Sequence, residues 1–535
     1  MGEATAPPAA AAPASPAAPA TNPLRINSLT LCDFRAFPGP EPITIRLDGK
    51  HLLVHGENGA GKSSIFHALD QFFSVSERNA EARKQRLRSL KNVFSAAPEQ
   101  DLKVTVEFDD GKAAATWSIA GHPVDPETTN ADARVVNAAY RKAILDYRSL
   151  LETNYRHGKS GVNLFEVCIN VLLRDYLVDH GGTERRLFDL WAELLRLLDL
   201  EARGRKRLRE NEKADVLTLL PSINAGLRNA LALLQPRIEP LLKELGWDDL
   251  QVISFNVPGL TYSDKAAVPP LQRIETKEIG LTLNFRGHQV DRPQTFLNEA
   301  RLSALALAIY LAGRLVCADT LQADTPRLMV LDDVLIGLDQ SNRMPVLSVL
   351  VTHFKDWQVI LLTHDRVWFE IARAYHRQHK ADKFWTYARI HSTDDPSQAP
   401  TVTEVGSSAA SETLDQARLF LRDGHINAAG NYARIANELA LREFCEIKKV
   451  VIAYKQEPDK TPASDLLTAA KSHSKSKCGG VYDAPLEAIE MYSTILFNKL
   501  SHGGIPTVTN FEVQGAINAV GALLFAVKVV PTQPK

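Results

Sequence analysis

The sequence predicts an α/β fold: a head assembled from two halves, a helical insertion between them, and an all-α domain toward the C-terminal end. Three observations carry this. Gly56-Glu57-Asn58-Gly59-Ala60-Gly61-Lys62-Ser63 is a complete G-x-x-x-x-G-K-S phosphate loop, set between the apolar run His51–Val54 and a helical stretch, Ser63 to Phe73. Leu328-Met329-Val330-Leu331 is a buried-strand pattern that ends in two carboxylates, Asp332 and Asp333. Leu-rich stretches within 131–248, and the run 412–535, read as helical.

Residues 1–23 are mostly Ala and Pro and contain no Lys or Arg. They lack the basic start and apolar core of a signal peptide, so a disordered tail is expected. The first lobe, 24–130, has strand patterns at Ile26–Leu31 and Ile43–Leu47, and a hairpin of Val104–Phe108 with Ala113–Ile119 about an Asp-Gly turn. Within it lies the basic run Arg83-Lys84-Gln85-Arg86-Leu87-Arg88. The segment 131–248 reads as a helical insertion, with a second basic cluster at Arg203–Arg209. The second half of the head spans 249–391, residues 392–411 read as a linker, and 412–535 form a separate helical domain.

The chemistry follows from residue types. Gly56, Gly59 and Gly61 let backbone amides wrap a phosphate, with Asn58 and Ala60 inside the loop. The helix that follows adds its positive dipole end. Lys62 reaches the β- and γ-phosphates, and the Ser63 hydroxyl ligates Mg2+. Asp332 is placed to hold Mg2+ and Asp333 to polarise the attacking water. A second buried strand, Gln358–Thr363, delivers His364 to the same end of the sheet.

Composition sets bounds. The chain has 535 residues, 45% hydrophobic and 23% charged, with a net charge of −1. That balance excludes a global electrostatic grip on nucleic acid, so DNA or RNA would be held through local basic patches. Five scattered cysteines without paired spacing exclude an obvious zinc site and favour a reducing, cytoplasmic setting. With no uninterrupted run of about 18 apolar residues, no membrane span is expected.

Taken together, these motifs resemble the ABC-type ATPases of the SMC and RecF class. The resemblance rests on Asp33-Phe34-Arg35-Ala36-Phe37, on Gly56 through Ser64, on the Asp332-Asp333 pair, on Gly337-Leu338-Asp339 as a D-loop and on His364 as the switch histidine. It implies ATP and Mg2+ as ligands, with Arg35, Ser64 and Asp339 near the nucleotide. It also implies that Leu297-Asn298-Glu299-Ala300-Arg301 is the signature, with Asn298 bonding the γ-phosphate held by the opposite subunit. The expected assembly is a homodimer, or higher homo-oligomer, with ATP sandwiched between copies. Two departures stand out: the signature lacks its glycines, and Asp333 replaces the usual Glu, one methylene longer, which would slow hydrolysis. Asp146-Tyr147-Arg148 is the candidate Q-loop.

The run Phe296–Ala304, the Leu331–Asp339 run and Thr363-His364-Asp365-Arg366 resemble ATPases of bacterial antiphage systems, of the Septu and anticodon-nuclease kinds. That resemblance implies a nucleotide-gated assembly controlling a nuclease. The C-terminal domain is similar to HEPN ribonucleases, which would give His502 the acid/base role, Arg434 the phosphate contact, and Glu438 and Asn498 supporting places. Asn498 stands where that motif has Arg, so a partner-docking bundle is the alternative. For the whole chain the expectation is a switch gating an effector nuclease; the alternatives are a RecF-like DNA-maintenance ATPase and a scaffold cemented by nucleotide.

Overall fold

A computed structural model describes residues 23–74, 79–125, 131–139, 142–146, 163–200, 208–263, 273–318, 326–335, 338, 340–393, 395–405, 408–452, 461–497, 500 and 508–529. The chain divides into two compact units, 1–403 and 404–535.

The N-terminal unit begins with β1 (Ile26–Cys32), β2 (Ile43–Arg46) and β3 (His51–Gly56), which leads into helix α1 (Lys62–Phe72). After α2 (Ala80–Arg88) come β4 (Lys103–Phe108) and β5 (Ala115–Ser118), the antiparallel hairpin predicted about Asp110-Gly111. β2, β1, β4 and β5 form one four-stranded sheet.

The second sheet has six strands. β3 lies beside β13 (Gln358–Thr363), then β12 (Leu328–Asp332), then β6 (Ala143–Asp146), all parallel. On its other side β3 pairs in parallel with β14 (Trp385–His391), and β15 (Thr401–Glu404) completes the edge. β12 and β13 are buried along their whole length. Both faces are covered, which is why their sequences are continuous apolar runs rather than alternating ones. One core fills the space around α1: Leu29 and Val106 from the first sheet, Ile65, Leu69 and Phe72 from α1, and Val54, Val330 and Ile360 from the second. Gln358 stitches the sheets together. Its Oε1 accepts from Ile26 N at 2.7 Å, and its Nε2 donates to Ile26 O and Lys50 O, each at 2.8 Å.

Three sequence boundaries change. The insertion is not wholly helical: Ala143–Asp146 is a strand of the central sheet, too short and too apolar to be told from a helix segment by periodicity. The hairpin of β7 (Leu177–His180) and β8 (Thr183–Arg186) also lies within it, beside α3 (Leu187–Leu198) and α4 (Glu210–Glu244). The expected linker supplies β15, and the helix after it starts at Ala409, capped by Ser408 Oγ accepting from Ser411 N at 3.2 Å.

A three-stranded antiparallel sheet, β9 (Leu250–Asn256), β10 (Gly280–Phe285) and β11 (His288–Val290), precedes α5 (Pro293–Phe296) and α6 (Glu299–Ala318). After β12 comes α7 (Gln340–His353), and after β13 comes α8 (Arg366–Gln378).

In the C-terminal unit, α9 (Ala409–Arg422), α10 (Ile426–Ile447), α11 (Ala463–Lys477), α12 (Asp483–Tyr492) and α13 (Asn510–Val529) close on one apolar core that includes Leu414, Leu441, Phe444, Tyr482 and Ile517.

Among the described residues, three helices are long and apolar enough to cross a membrane by length and composition: Glu210–Glu244, Glu299–Ala318 and Asn510–Val527. In α6 the apolar window is 83% buried inside the protein, which accounts for its composition.

Candidate nucleotide site

The phosphate loop leaves β3 and turns into α1 through two left-handed glycines, Gly59 at φ 85° and Gly61 at φ 107°. At Gly61 a Cβ would lie 3.3 Å from Ala36 Cβ and 3.5 Å from the Phe37 ring, so a larger residue is strained by torsion and would also have to displace Ala36 by a few tenths of an ångström. The Phe34–Phe37 turn is what crowds it. Phe34 and Phe37 are fully buried, and Ala36 N donates to Ser64 Oγ at 3.2 Å. This places Arg35, exposed and at φ 49°, beside the loop, its backbone held by Leu90 O and the Asn92 side chain. Ser64 turns its hydroxyl into the protein, so its part is to position the Arg35 turn.

Lys62 is 5% exposed and bonds the loop itself, to Gly56 O at 2.7 Å and Glu57 O at 3.1 Å. Burial lowers its pKa, opposed by Asp333 and Asp332. Ser63 Oγ donates to Asp332 Oδ2 at 3.0 Å. Asp332 is pushed up to about 6, first by burial and then by the charge of Asp333, against the Ser63 hydrogen bond and Lys62. Its Oδ1 is buried with no hydrogen-bond partner. A buried carboxylate oxygen left unpaired, beside a hydroxyl and a second carboxylate, is the donor set a hard divalent cation takes. Asp146, in register with Asp332 on β6, adds a third carboxylate on the neighbouring strand. Ser63 and Asp332 therefore fit Mg2+, which when bound would neutralise phosphate charge.

Asp333 follows the strand at φ 53°, a conformation Asp tolerates better than most residues. Its amide still continues the sheet by donating to Leu362 O at 3.0 Å. Its Oδ1 accepts from both His364 N, at 3.0 Å, and His364 Nδ1, at 2.9 Å, while Oδ2 stands 4.0 Å from Lys62 Nζ. The carboxylate that would polarise water is thus fixed between an imidazole and the phosphate-binding ammonium.

These contacts bring together Arg35, Gly56, Gly59, Ala60, Gly61, Lys62, Ser63, Asp332, Asp333 and His364 from four separated stretches; Asn58 lies exposed within the loop. Asn298 is not among them. It is exposed at the start of α6, its Oδ1 accepting from Arg301 N at 3.0 Å, and among the described residues no hydrogen bond joins it to the loop. Gly337, Asp339, Tyr147, Arg148, Arg203–Arg207, Asn498 and His502 lie outside the described residues. The first basic run is largely spent internally: Arg83 pairs with Asp125, Arg86 bonds Gln71, and Arg88 bonds Glu99 and Glu81.

Sequence reasoning missed Arg343. Its Nε donates to Leu338 O at 2.8 Å and its Nη1 to Asp365 Oδ2 at 2.6 Å. Asp365 also caps α8, accepting from Trp368 N at 3.0 Å. One guanidinium therefore ties the residue before Asp339 to the residue after His364. An arginine in the polar first turn of a helix gives no signal of this in sequence.

Residues 25–384 match the RecF/RecN/SMC N-terminal domain. The chain belongs to that family. Its members are ATPases that bind ATP, commonly with Mg2+, and the site just described has the parts for it. Among solved structures the chain is similar to the Smc head domain with an extended coiled coil from Pyrococcus furiosus, bound to the C-terminal domain of ScpA, at 14% identity, covering 74% of this chain and all of that one with a TM-score of 0.39. It is also similar to RecF, the recombination mediator of the RecFOR pathway, in its ATPrS form, at 12% identity, covering 72% and 100% with a TM-score of 0.43. A search of curated proteins finds no match. The chain is thus an SMC/RecF-class ABC ATPase with a helical C-terminal unit.

Proposed function

We propose that the protein is a cytoplasmic ATP switch that gates an effector nuclease in bacterial antiphage defence. Two copies close on two ATP molecules, each held by Lys62 and Ser63 of one chain and by Asn298 of the other. Hydrolysis through Asp333 releases them. The observation that carries the switch is the carboxylate of Asp333 shared between His364 and Lys62, because a γ-phosphate drawing on Lys62 changes the balance at Asp333 and His364 together. The antiphage assignment rests on the spelling of the signature, Asp332-Asp333 and His364 segments.

The effector is a separate nuclease or the C-terminal unit itself. In that unit Arg434 and Glu438 form an i,i+4 ion pair at 3.1 Å on α10. A half-exposed pair of this kind contributes about 0.3–0.5 kcal/mol to its helix. Phage plating efficiency on cells carrying the system, with Lys62→Ala and His502→Ala variants, tests both parts. Protection lost with Lys62→Ala supports the switch; full protection refutes it. Protection lost with His502→Ala at unchanged protein level assigns the nuclease to this chain, and unchanged protection assigns it to a partner. A RecF-like role in DNA maintenance is the second reading, favoured by a family that embraces RecF and RecN; it predicts sensitivity to DNA damage when the chain is deleted.

A further inference from the structure

A groove in the second half of the head has no part in the site above. It is lined by Phe285, Arg286, His288, Arg292, Thr295 and Phe296, among others, and has a volume of about 520 Å3. The two rings differ in state. Phe285 is covered by guanidinium groups: Arg286 lies 5.2 Å and Arg301 5.1 Å from its centroid, and both pair with Asp249. Phe296 stands edge-on to Phe285, with centroids 5.7 Å apart, and remains 63% exposed. Arg292 is exposed as well, with no ion pair among the described residues. An aromatic face open to solvent beside a free guanidinium is the chemistry that binds a nucleobase and its sugar-phosphate.

Its place in the chain narrows the ligand. The groove wall Thr295-Phe296 runs directly into Leu297 and Asn298, where α6 begins. A nucleotide whose γ-phosphate reaches Asn298 must lay its nucleoside end along neighbouring surface. We propose that this groove takes the base and ribose of the ATP held by a second copy's phosphate loop, with the base stacked on Phe296 and Arg292 against the ribose and α-phosphate. The proposal rests on the ATP-sandwich reading and adds to it a subsite on the opposite chain. A single-stranded nucleic acid is disfavoured, because such platforms stack successive bases on several rings and here one face is free.

The test is dimerisation of the full-length chain, read by size-exclusion chromatography with light scattering across ATP concentrations, in an Asp333→Asn background that holds ATP. Phe296→Ala should cost about tenfold at each of two sites, about a hundredfold in the dimerisation constant, and because two ATP enter per dimer it should raise the ATP concentration for half-dimerisation about tenfold. Arg292→Ala should shift it the same way and Phe296→Tyr should restore it. Binding of a fluorescent ATP analogue to the monomer should stay as in the parent. Inorganic triphosphate should dimerise the parent and Phe296→Ala equally. Unchanged midpoints in both alanine variants overturn the proposal and leave the sandwich intact. A parent chain that stays monomeric in ATP overturns the sandwich and the proposal with it. Loss of single-stranded DNA binding at an unchanged ATP midpoint gives the groove to nucleic acid and also overturns it.

Discussion

Replacing Arg343 by alanine removes the strut between the segment before Asp339 and the segment after His364. The bond to Asp365 is charge-assisted, with side-chain exposures of 17% and 33%. Such a bond contributes about 1.5–3 kcal/mol when shielded, and about 1–2 kcal/mol at this exposure. The bond to Leu338 O adds about 1 kcal/mol. About 2 kcal/mol lost from the hold on His364 corresponds to a fall in kcat of about 30-fold. KM for ATP should move little, because Arg343 makes no contact with the phosphate loop. Steady-state turnover with a thermal melt alongside measures this. Arg343→Lys should recover only part of the rate, since one ammonium cannot reproduce the fork that reaches both acceptors. A kcat within twofold of wild type in Arg343→Ala would refute the reasoning, and a collapse in melting temperature with kcat per folded molecule unchanged would refute it equally.

Other consequences follow from the same geometry. Ser64→Ala leaves Ala36 N without its acceptor and should cost about 1–3 kcal/mol, seen as a lower urea midpoint, with ATP affinity weakened because the Arg35 turn loosens. His122 and His376 are both held at about 4, each chiefly by burial, with Arg83 adding to it for His122 and His379 for His376. His122 accepts from Val124 N through Nδ1 at 3.2 Å and bonds Phe72 O through Nε2 at 2.9 Å, so a second ring proton would break the first bond. Their folded pKa lies below the unfolded value of about 6.5, so the stability they confer is full above that pH and is lost as pH falls toward 4. Two such groups give a slope of about 2.7 kcal/mol per pH unit. Urea denaturation between pH 7 and pH 5 should show His122→Gln halving that contribution; an unchanged slope would contradict it. Gly61→Ala should abolish ATP binding in a chain that still folds, because a φ of 107° strains any residue with a Cβ and the 3.3 Å approach of Ala36 crowds it, so the loop must shift.

Much of the head was legible because its chemistry is local in sequence. The phosphate loop, the Asp332-Asp333 pair and His364 each follow an apolar run, and each sits at the end of a parallel strand that the run forms. Residues whose partners are distant were hidden. Gln358 reads as the polar start of a strand, yet its amide joins two sheets across more than 300 residues of chain. Arg343 reads as a solvated helix start. Ala143–Asp146 has the length of a strand and the composition of either element, and only its pairing with β12 decides. The basic run Arg83–Arg88 reads from its composition as a solvated helix face, yet Arg83 and Arg88 are engaged by Asp125 and Glu99, carboxylates brought in from elsewhere in the lobe.

ATP turnover by the purified chain, beside Asp333→Asn and Lys62→Ala, tests the central claim most directly. The account predicts measurable hydrolysis by the wild-type chain, ATP binding without hydrolysis in Asp333→Asn, and loss of both in Lys62→Ala. An Asp333→Asn chain that hydrolyses ATP at the wild-type rate would contradict it, because the carboxylate between His364 and Lys62 would then have no part in the chemistry.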